Sequence, residues 1–413
     1  MQKNIALYLS NSSDKNLIIK QIMKNEFLSE QTDLSLLKGV LYSSITINQF
    51  IDEELRHDRY MIQTAENDSL QSMSSGQKKK ALLSYLITQK PEFIVLDDIY
   101  SNIDKATQLS ITKQLNDLSN STLLIQLFFR KKDILSCMDI VFSVDENNKI
   151  VKKQDLKSFL SSDIEQNSVE QHFKLPELYN EHLPVFEPLI QLNDVSVRYL
   201  DKNVLDKVNW TIRNGEFWQL VGANGAGKST LVTLITGDNP KAYGQDMLLF
   251  GRKKGSGETI WDIKRQIGYF TPSMIAQFTR DDSIENMIIS GLMDSVGLYV
   301  IPSDLQKDIA KSWIEMLGPS FKNKSFQKLS IGQKRMVMVA RAMVKQPPLL
   351  ILDEPTIELD DENSKLFIEM VNAIAKTKKI AIIYVSHRDE DQLKPEKIFE
   401  LIPTGKGYTG IVN

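Results

Sequence analysis

An α/β protein made of two parallel-sheet domains in tandem, the first trimmed and degenerate, is what these 413 residues predict. Three observations carry that expectation. The segments MSSGQKKKALLSYLITQKPEFIVLDDIYSNID (73–104) and LSIGQKRMVMVARAMVKQPPLLILDEPTIELD (329–360) align without a gap. Each sits in a run that reads strand, turn, helix, strand, helix, the order of parallel α/β domains. A turn follows an apolar strand pattern near the start of each half: LSNSSDKN (9–16) after Ile5–Tyr8, and VGANGAGKST (221–230) after Phe217–Val221.

The repeat is the firmest of the three. Gly76 to Asp97 and Gly332 to Asp353 both span 21 positions, and a further 7 lead to Asp104 and Asp360. SSGQ and SIGQ also read as helix N-caps ahead of amphipathic helices. Capping alone would not fix the distance to an apolar run that ends in paired acids, so a tandem duplication is the reading.

Composition sets the class. With 42% hydrophobic and 25% charged residues the chain fits a globular protein and neither disorder nor membrane spans. A net charge of −3 gives no global attraction for nucleic acid or an anionic surface. Cys137 is the single cysteine, which rules out an internal disulfide and argues against a structural zinc site. The N-terminus lacks the apolar run and cleavage site of a secretory signal, and nowhere do eighteen apolar residues run together. The expected location is the cytoplasm, or peripheral to the inner face of the membrane, with no transmembrane segment of its own.

The expected domains are 1–150 and 189–413, joined by a linker at 151–188 that leans acidic, holds Pro176, Pro184 and Pro188, and has room for one short helix. The halves are unequal. Lys15 to Gly76 spans 61 positions and Lys228 to Gly332 spans 104. The first half also has nothing like 190–218, which reads as antiparallel strands before the glycine-rich turn.

Chemistry concentrates in the second half. GANGAGKS (222–229) is G-x-x-x-x-G-K-[ST], set between a strand and a helix as a phosphate-binding loop requires. Gly222, Gly225 and Gly227 let backbone N–H groups turn inward; Ala223, Asn224, Ala226 and Thr230 complete the cradle. The helix opening near Lys228 adds its positive dipole end. Lys228 is expected to reach the β- and γ-phosphates of ATP, and Ser229 to ligate Mg2+. LLILDEP (349–355) is an apolar strand ending in two acids, with Asp353 placed to hold Mg2+ and Glu354 to polarise the attacking water.

These motifs, with LSIGQ (329–333), the ELD loop (358–360) and His387 after IAIIYVS (380–386), come in an order that resembles the ATP-binding cassette (ABC) ATPases across 190–413. The resemblance implies two tandem ABC-type nucleotide-binding domains of the P-loop NTPase fold. It implies that the S-x-G-Q helix of one cassette closes over ATP held by another, and that His387 contacts the γ-phosphate. Tyr199 matches the aromatic that stacks on adenine, although a lone tyrosine at a strand end also reads as core or edge packing. LITGDNPKAYGQDMLLFGRKKGSGETIWDIKRQIGYF (234–270) is similar to the ModF/PhrA group of tandem cassettes, labelled molybdenum-transport or photorepair ATP-binding proteins. GSGETIWDIK (255–264) is its most specific part.

A head-to-tail pair of cassettes implies two composite sites. One joins Lys228, Ser229, Asp353, Glu354 and His387 to Ser74, Gly76 and Gln77 of the N-terminal signature. The other would join LSNSSDKN to LSIGQ, and there the glycines are gone, Asn16 replaces the hydroxyl, and Asp98 stands where Glu354 stands. The losses fall on one site, as expected if the first half is kept for its helix. The alternative is an inert first half, with two chains pairing through their second halves. Lys78, Lys79 and Lys80 open the first signature helix, where the dipole disfavours cations; a triphosphate would offset them, or they form a solvated face.

Three uses of the ATPase motion compete: energising a membrane permease, a soluble switch acting on the ribosome or nucleic acid, and a non-catalytic sensor. Permease coupling in such cassettes uses a glutamine after the strand resembling IGYF (267–270), and Pro272 of TPSM stands at about that place. The short acidic linker disfavours the second use, and the retained Glu354 and His387 disfavour the third. The expectation is an ATP hydrolase coupled to an unidentified partner. Trp261 is expected to pack rather than to meet a partner.

Overall fold

The computed structural model describes residues 3–29, 32–57, 59–62, 69–101, 103–161, 173–177, 185–200, 202–386, 390 and 392–413. The chain forms two compact units: Met1–Val169 with Glu358–Glu362, and Glu170–Ile357 with Asn363–Asn413.

The first unit is a six-stranded sheet in the order Gly39–Tyr42, Phe93–Asp97, Leu123–Phe128, Ile5–Tyr8, Ile140–Val144, Ile150–Asp155. The first five strands are parallel and the last is antiparallel. Both faces are covered, as a parallel sheet requires. Phe93 and Val95 face a cluster with Ile18, Ile19 and Ile22 of the helix Lys15–Met23. Ile94 and Leu96 face Leu82, Leu83 and Leu86 of the signature helix Ser75–Thr88 and Ile111 and Leu115 of Lys105–Leu118. The expected linker at 151–188 begins inside the last strand, and the helix Leu156–Ser161 follows it directly.

The segment Glu358–Glu362 counts with this unit because its polar groups are satisfied there. The Asn11 amide N–H donates to Asp360 Oδ2 at 2.7 Å, and Asp360 N–H donates to Asn11 Oδ1 at 2.8 Å. Arg130 Nε donates to Leu359 O at 2.9 Å, while Lys131 N–H and the Tyr8 hydroxyl both donate to Asp361 Oδ2. Burial and the Asp361 charge push the Tyr8 hydroxyl far above its ordinary value.

The second unit holds a ten-stranded sheet. Six of its strands run Ile267–Phe270, Leu349–Asp353, Ala381–Val385, Phe217–Gly222, Lys397–Pro403, Tyr408–Val412. The first five are parallel and the sixth antiparallel, the same order and sense as the whole first sheet. The duplication read from sequence spacing is therefore present in strand topology. The remaining four strands, Ile190–Tyr199, Lys202–Ile212, Asp246–Leu249 and Arg252–Lys253, extend the sheet in antiparallel pairs. They are what the first half lacks, so it is trimmed as expected. Trp210 stacks on Phe399 at 4.3 Å between ring centroids and ties the extension to the shared strands.

Candidate nucleotide site

The loop 222–229 has the backbone of an anion nest. Gly225 and Gly227 have φ of +77° and +98°, left-handed values that a side chain resists. Gly227 is also sterically fixed, because a Cβ there would lie 2.7 Å from Leu205 Cδ2 and 2.9 Å from Val204 Cγ1. Gly227 caps the helix Lys228–Thr236 without any side-chain acceptor, which leaves the positive end of that helix suited to an anion from outside. Lys228 is buried, and its Nζ donates to Gly222 O at 2.8 Å and Ala223 O at 3.2 Å. Burial lowers its pKa, opposed by the charges of Glu354 and Asp353.

Asp353 ends the strand Leu349–Asp353. Burial and then the neighbouring Glu354 charge raise its carboxyl above the usual range, while Tyr269 and Lys228 act the other way. The Tyr269 hydroxyl donates to Asp353 Oδ2 at 3.3 Å. Sequence reasoning missed Tyr269. Its only signal was the strand alternation of IGYF, since contact with Asp353 spans 84 positions. Glu354 has φ +51°, a left-handed conformation that costs a non-glycine residue about 1–2 kcal/mol. Its N–H donates to Val385 O at 3.0 Å, which holds the turn.

The equivalent groups in the first unit are spent internally. The helix Lys15–Met23 is capped by Asp14, whose carboxylate accepts from Leu17 N–H at 3.0 Å. No residue from 9 to 16 has positive φ. Lys15 Nζ lies 3.0 Å from Asp97 Oδ1, the counterpart of Asp353. Asp98 repeats the left-handed turn of Glu354 with φ +53°, but its carboxylate accepts from Ser101 and faces Lys79 Nζ at 3.7 Å.

Lys79 corrects the reading of the SSGQKKK run. It is 5% exposed and donates to Ile99 O at 3.3 Å and Ser101 O at 2.9 Å, so it is neither solvated nor free for a phosphate. Arg335, at the same position of the second repeat, pins the corresponding loop through Pro355 O at 2.7 Å. Two long cations at one repeat position were the available signal.

Both signature helices carry capping boxes: Ser74 with Gln77, and Ser330 with Gln333. Gly76 is buried, and a Cβ there would lie 3.2 Å from Thr107 Cγ2. The structure brings Lys228, Asp353 and Glu354 together in the second unit, while Ser74, Gly76 and Gln77 belong to the first. Tyr199 ends the strand Ile190–Tyr199, 42% exposed, with its hydroxyl accepting from Asn239 Nδ2 at 2.7 Å. His387 lies outside the described residues. Trp261, expected to pack, is 57% exposed on the short helix Ile260–Lys264, whose buried side chain is Ile263.

Among the described residues no group of three or more His, Cys, Asp or Glu side chains is placed to hold a metal, and no helix is long and apolar enough to cross a membrane. One carboxylate and one hydroxyl, Asp353 and Ser229, still suit Mg2+, which takes few protein ligands and completes its shell with water and substrate phosphate.

A strand-end acid pair and a signature helix present in both units, with a phosphate nest in the second, define a tandem P-loop ATPase. The chain belongs to the ABC transporter ATP-binding family. The ABC transporter family pattern matches residues 205–357. The chain is 32% identical to the ABC transporter ATP-binding protein ModF of Escherichia coli (strain K12), covering 94% of this chain and 83% of that one. It is 25% identical to an uncharacterised ABC transporter ATP-binding protein of Schizosaccharomyces pombe, over 89% of this chain and 76% of that one. Among solved structures, a model of ribosome-bound archaeal Pelota and ABCE1 contains a chain with a TM-score of 0.62 that covers 99% of this chain and 74% of its own. At 14% identity that likeness shows the shared fold alone.

Proposed function

We propose that this ATPase works through one composite site. The C-terminal loop (Gly222, Ala223, Asn224, Gly225, Ala226, Gly227, Lys228, Ser229, Thr230) holds the phosphates, and Tyr199 stacks on the adenine. Ser229 and Asp353 hold Mg2+. Glu354 polarises the attacking water, His387 contacts the γ-phosphate, and Ser74, Gly76 and Gln77 complete the site. ATP closes the two cassettes and hydrolysis lets them part, with an unidentified partner coupled to that motion. Catalysis of this kind comes from positioning and charge stabilisation.

The observation that carries the reading is the unequal state of two matching loops: Asp14 caps the first helix and Lys15 pairs with Asp97, while Gly227 leaves the second helix without a side-chain cap and Lys228 lies against its own loop carbonyls. The test is Ser74→Ala with Gly76→Asp. Turnover should vanish while ATP binding is spared; unchanged turnover would remove the first cassette as a participant. The coupled partner, a permease or other protein, is sought by capture with Glu354→Gln under ATP. Recovery of ribosomes or DNA would instead support a soluble switch.

A further inference from the structure

Asn239 sits at a junction that the ATPase motifs do not include. It is 7% exposed, with both side-chain polar atoms and its backbone N–H hydrogen-bonded. Its Oδ1 accepts from Lys241 N–H at 3.0 Å, capping the turn Pro240–Ala242. That bond fixes the amide orientation, so Nδ2 is the atom aimed the other way. Nδ2 donates to the Tyr199 hydroxyl at 2.7 Å and to Thr233 Oγ1 at 3.2 Å. Asn239 N–H donates to Thr233 O at 3.1 Å, and Thr233 Oγ1 donates to Thr230 O at 2.9 Å. An unbroken series of hydrogen bonds thus joins the Tyr199 ring to Thr230, in the first turn of the helix that opens at Lys228.

We propose that Asn239 is a positioning residue for purine recognition. It holds the Tyr199 ring at a fixed place relative to the phosphate loop, so that base and triphosphate are met by one preorganised surface. The inference rests on the reading that Tyr199 stacks on the base. A ring 42% exposed at the end of a strand would otherwise sample several rotamers, and the next residue, Leu200, is 96% exposed and supplies no wall. Ordering the ring before ATP arrives removes that cost from binding. The effect is confined to the base, because the phosphate contacts belong to backbone N–H groups and Lys228.

The experiment compares ATP with inorganic tripolyphosphate, which has the phosphates and no base. In Asn239→Leu the affinity for ATP should fall about fivefold, the scale of one aromatic stacking contact. Tripolyphosphate affinity should hold within twofold, and KM for ATP should rise with kcat little changed. Tyr199→Phe keeps the ring and removes the hydroxyl, so it should lose the same factor, and the double variant should lose no more. Asn239→Asp, which can accept from the phenol, should recover part of the loss. Parallel weakening of ATP and tripolyphosphate would reduce Asn239 to a turn cap and overturn the proposal. So would full ATP affinity in Asn239→Leu when Tyr199→Ala is impaired. Full ATP affinity in Tyr199→Ala would instead overturn the stacking reading on which the proposal stands.

Discussion

The helices Lys15–Met23 and Lys228–Thr236 open from equivalent turns, and the residues before them divide the two cassettes. Gly227, left-handed and without a side-chain acceptor, leaves the second helix dipole to be met by an anion from outside. Asp14 meets the first helix dipole with a carboxylate of the chain itself. The strand-end acids differ in the same way. Asp97 is neutralised by Lys15, whereas Asp353 is held by the neutral Tyr269 hydroxyl and Lys228 turns to the loop carbonyls. A phosphate site decays here by recruiting its own charges inward: each internal bond removes a group that substrate would need and stabilises the fold that remains.

The largest effect should come from the repeated left-handed turn. Glu354→Gln should lower steady-state phosphate release at least about 100-fold, the usual weight of a general base, with ATP still bound. Asp98→Asn should leave turnover per folded molecule within twofold. Equal losses in both would erase the contrast.

Next is the cap. In Gly227→Val the positive φ and the approach of Leu205 and Val204 leave no room, so ATP affinity should fall more than about tenfold by titration calorimetry. Asp14→Ala should cost about 1 kcal/mol in urea unfolding by loss of the cap, and the stoichiometry should stay at one ATP per chain. A second equivalent of bound ATP would show that the first loop is merely blocked.

The buried pair offers a finer test. Burial pushes the Asp97 carboxyl up, with the Lys15 charge opposing. Lys15→Met should therefore cost about 3 kcal/mol near neutral pH and less as Asp97 protonates in acid. Adding Asp97→Leu should restore most of the loss, measured by urea unfolding at two pH values. No recovery would mean that the pair acts through packing instead of charge.

The smallest effect concerns the extension that the first cassette lacks. Lys254 and Glu258 form an ion pair at 2.9 Å with both side chains almost fully covered. Burial opposes the Glu258 charge, but the Gly255 amide and Lys254 overcome it and hold the carboxyl at about 2, below the ordinary 4.5. A depressed acid stabilises the fold above its unfolded value and loses that contribution as pH falls through the folded one. The Tm difference between the parent and Glu258→Gln should be constant above about pH 5 and shrink between 4.5 and 2. A difference that persists at pH 2 would assign the effect to shape.

Much of the site could be read before any fold was known, because its groups are neighbours in sequence. Gly222 to Thr230 form one turn, Asp353 and Glu354 are consecutive, and the signature residues lie within a single helical turn. The duplication was equally legible, since matching two sheets in strand order requires matching the lengths between their elements. Left-handed φ at Glu354 and Asp98 left no trace, because neither residue type announces it. Tyr269 on Asp353 and Asn239 on Tyr199 join residues 84 and 40 positions apart. Lys79 looked like a surface cation until the fold buried its Nζ among carbonyls.

By itself, then, the sequence determined which groups this protein has for gripping phosphate and that the framework carrying them occurs twice, since local spacing dictates turns, caps and strand ends. Only the tertiary structure decided which of those groups remain available. Availability depends on the charge or hydroxyl that packing brings within hydrogen-bond reach, and such partners arrive from distant parts of the chain.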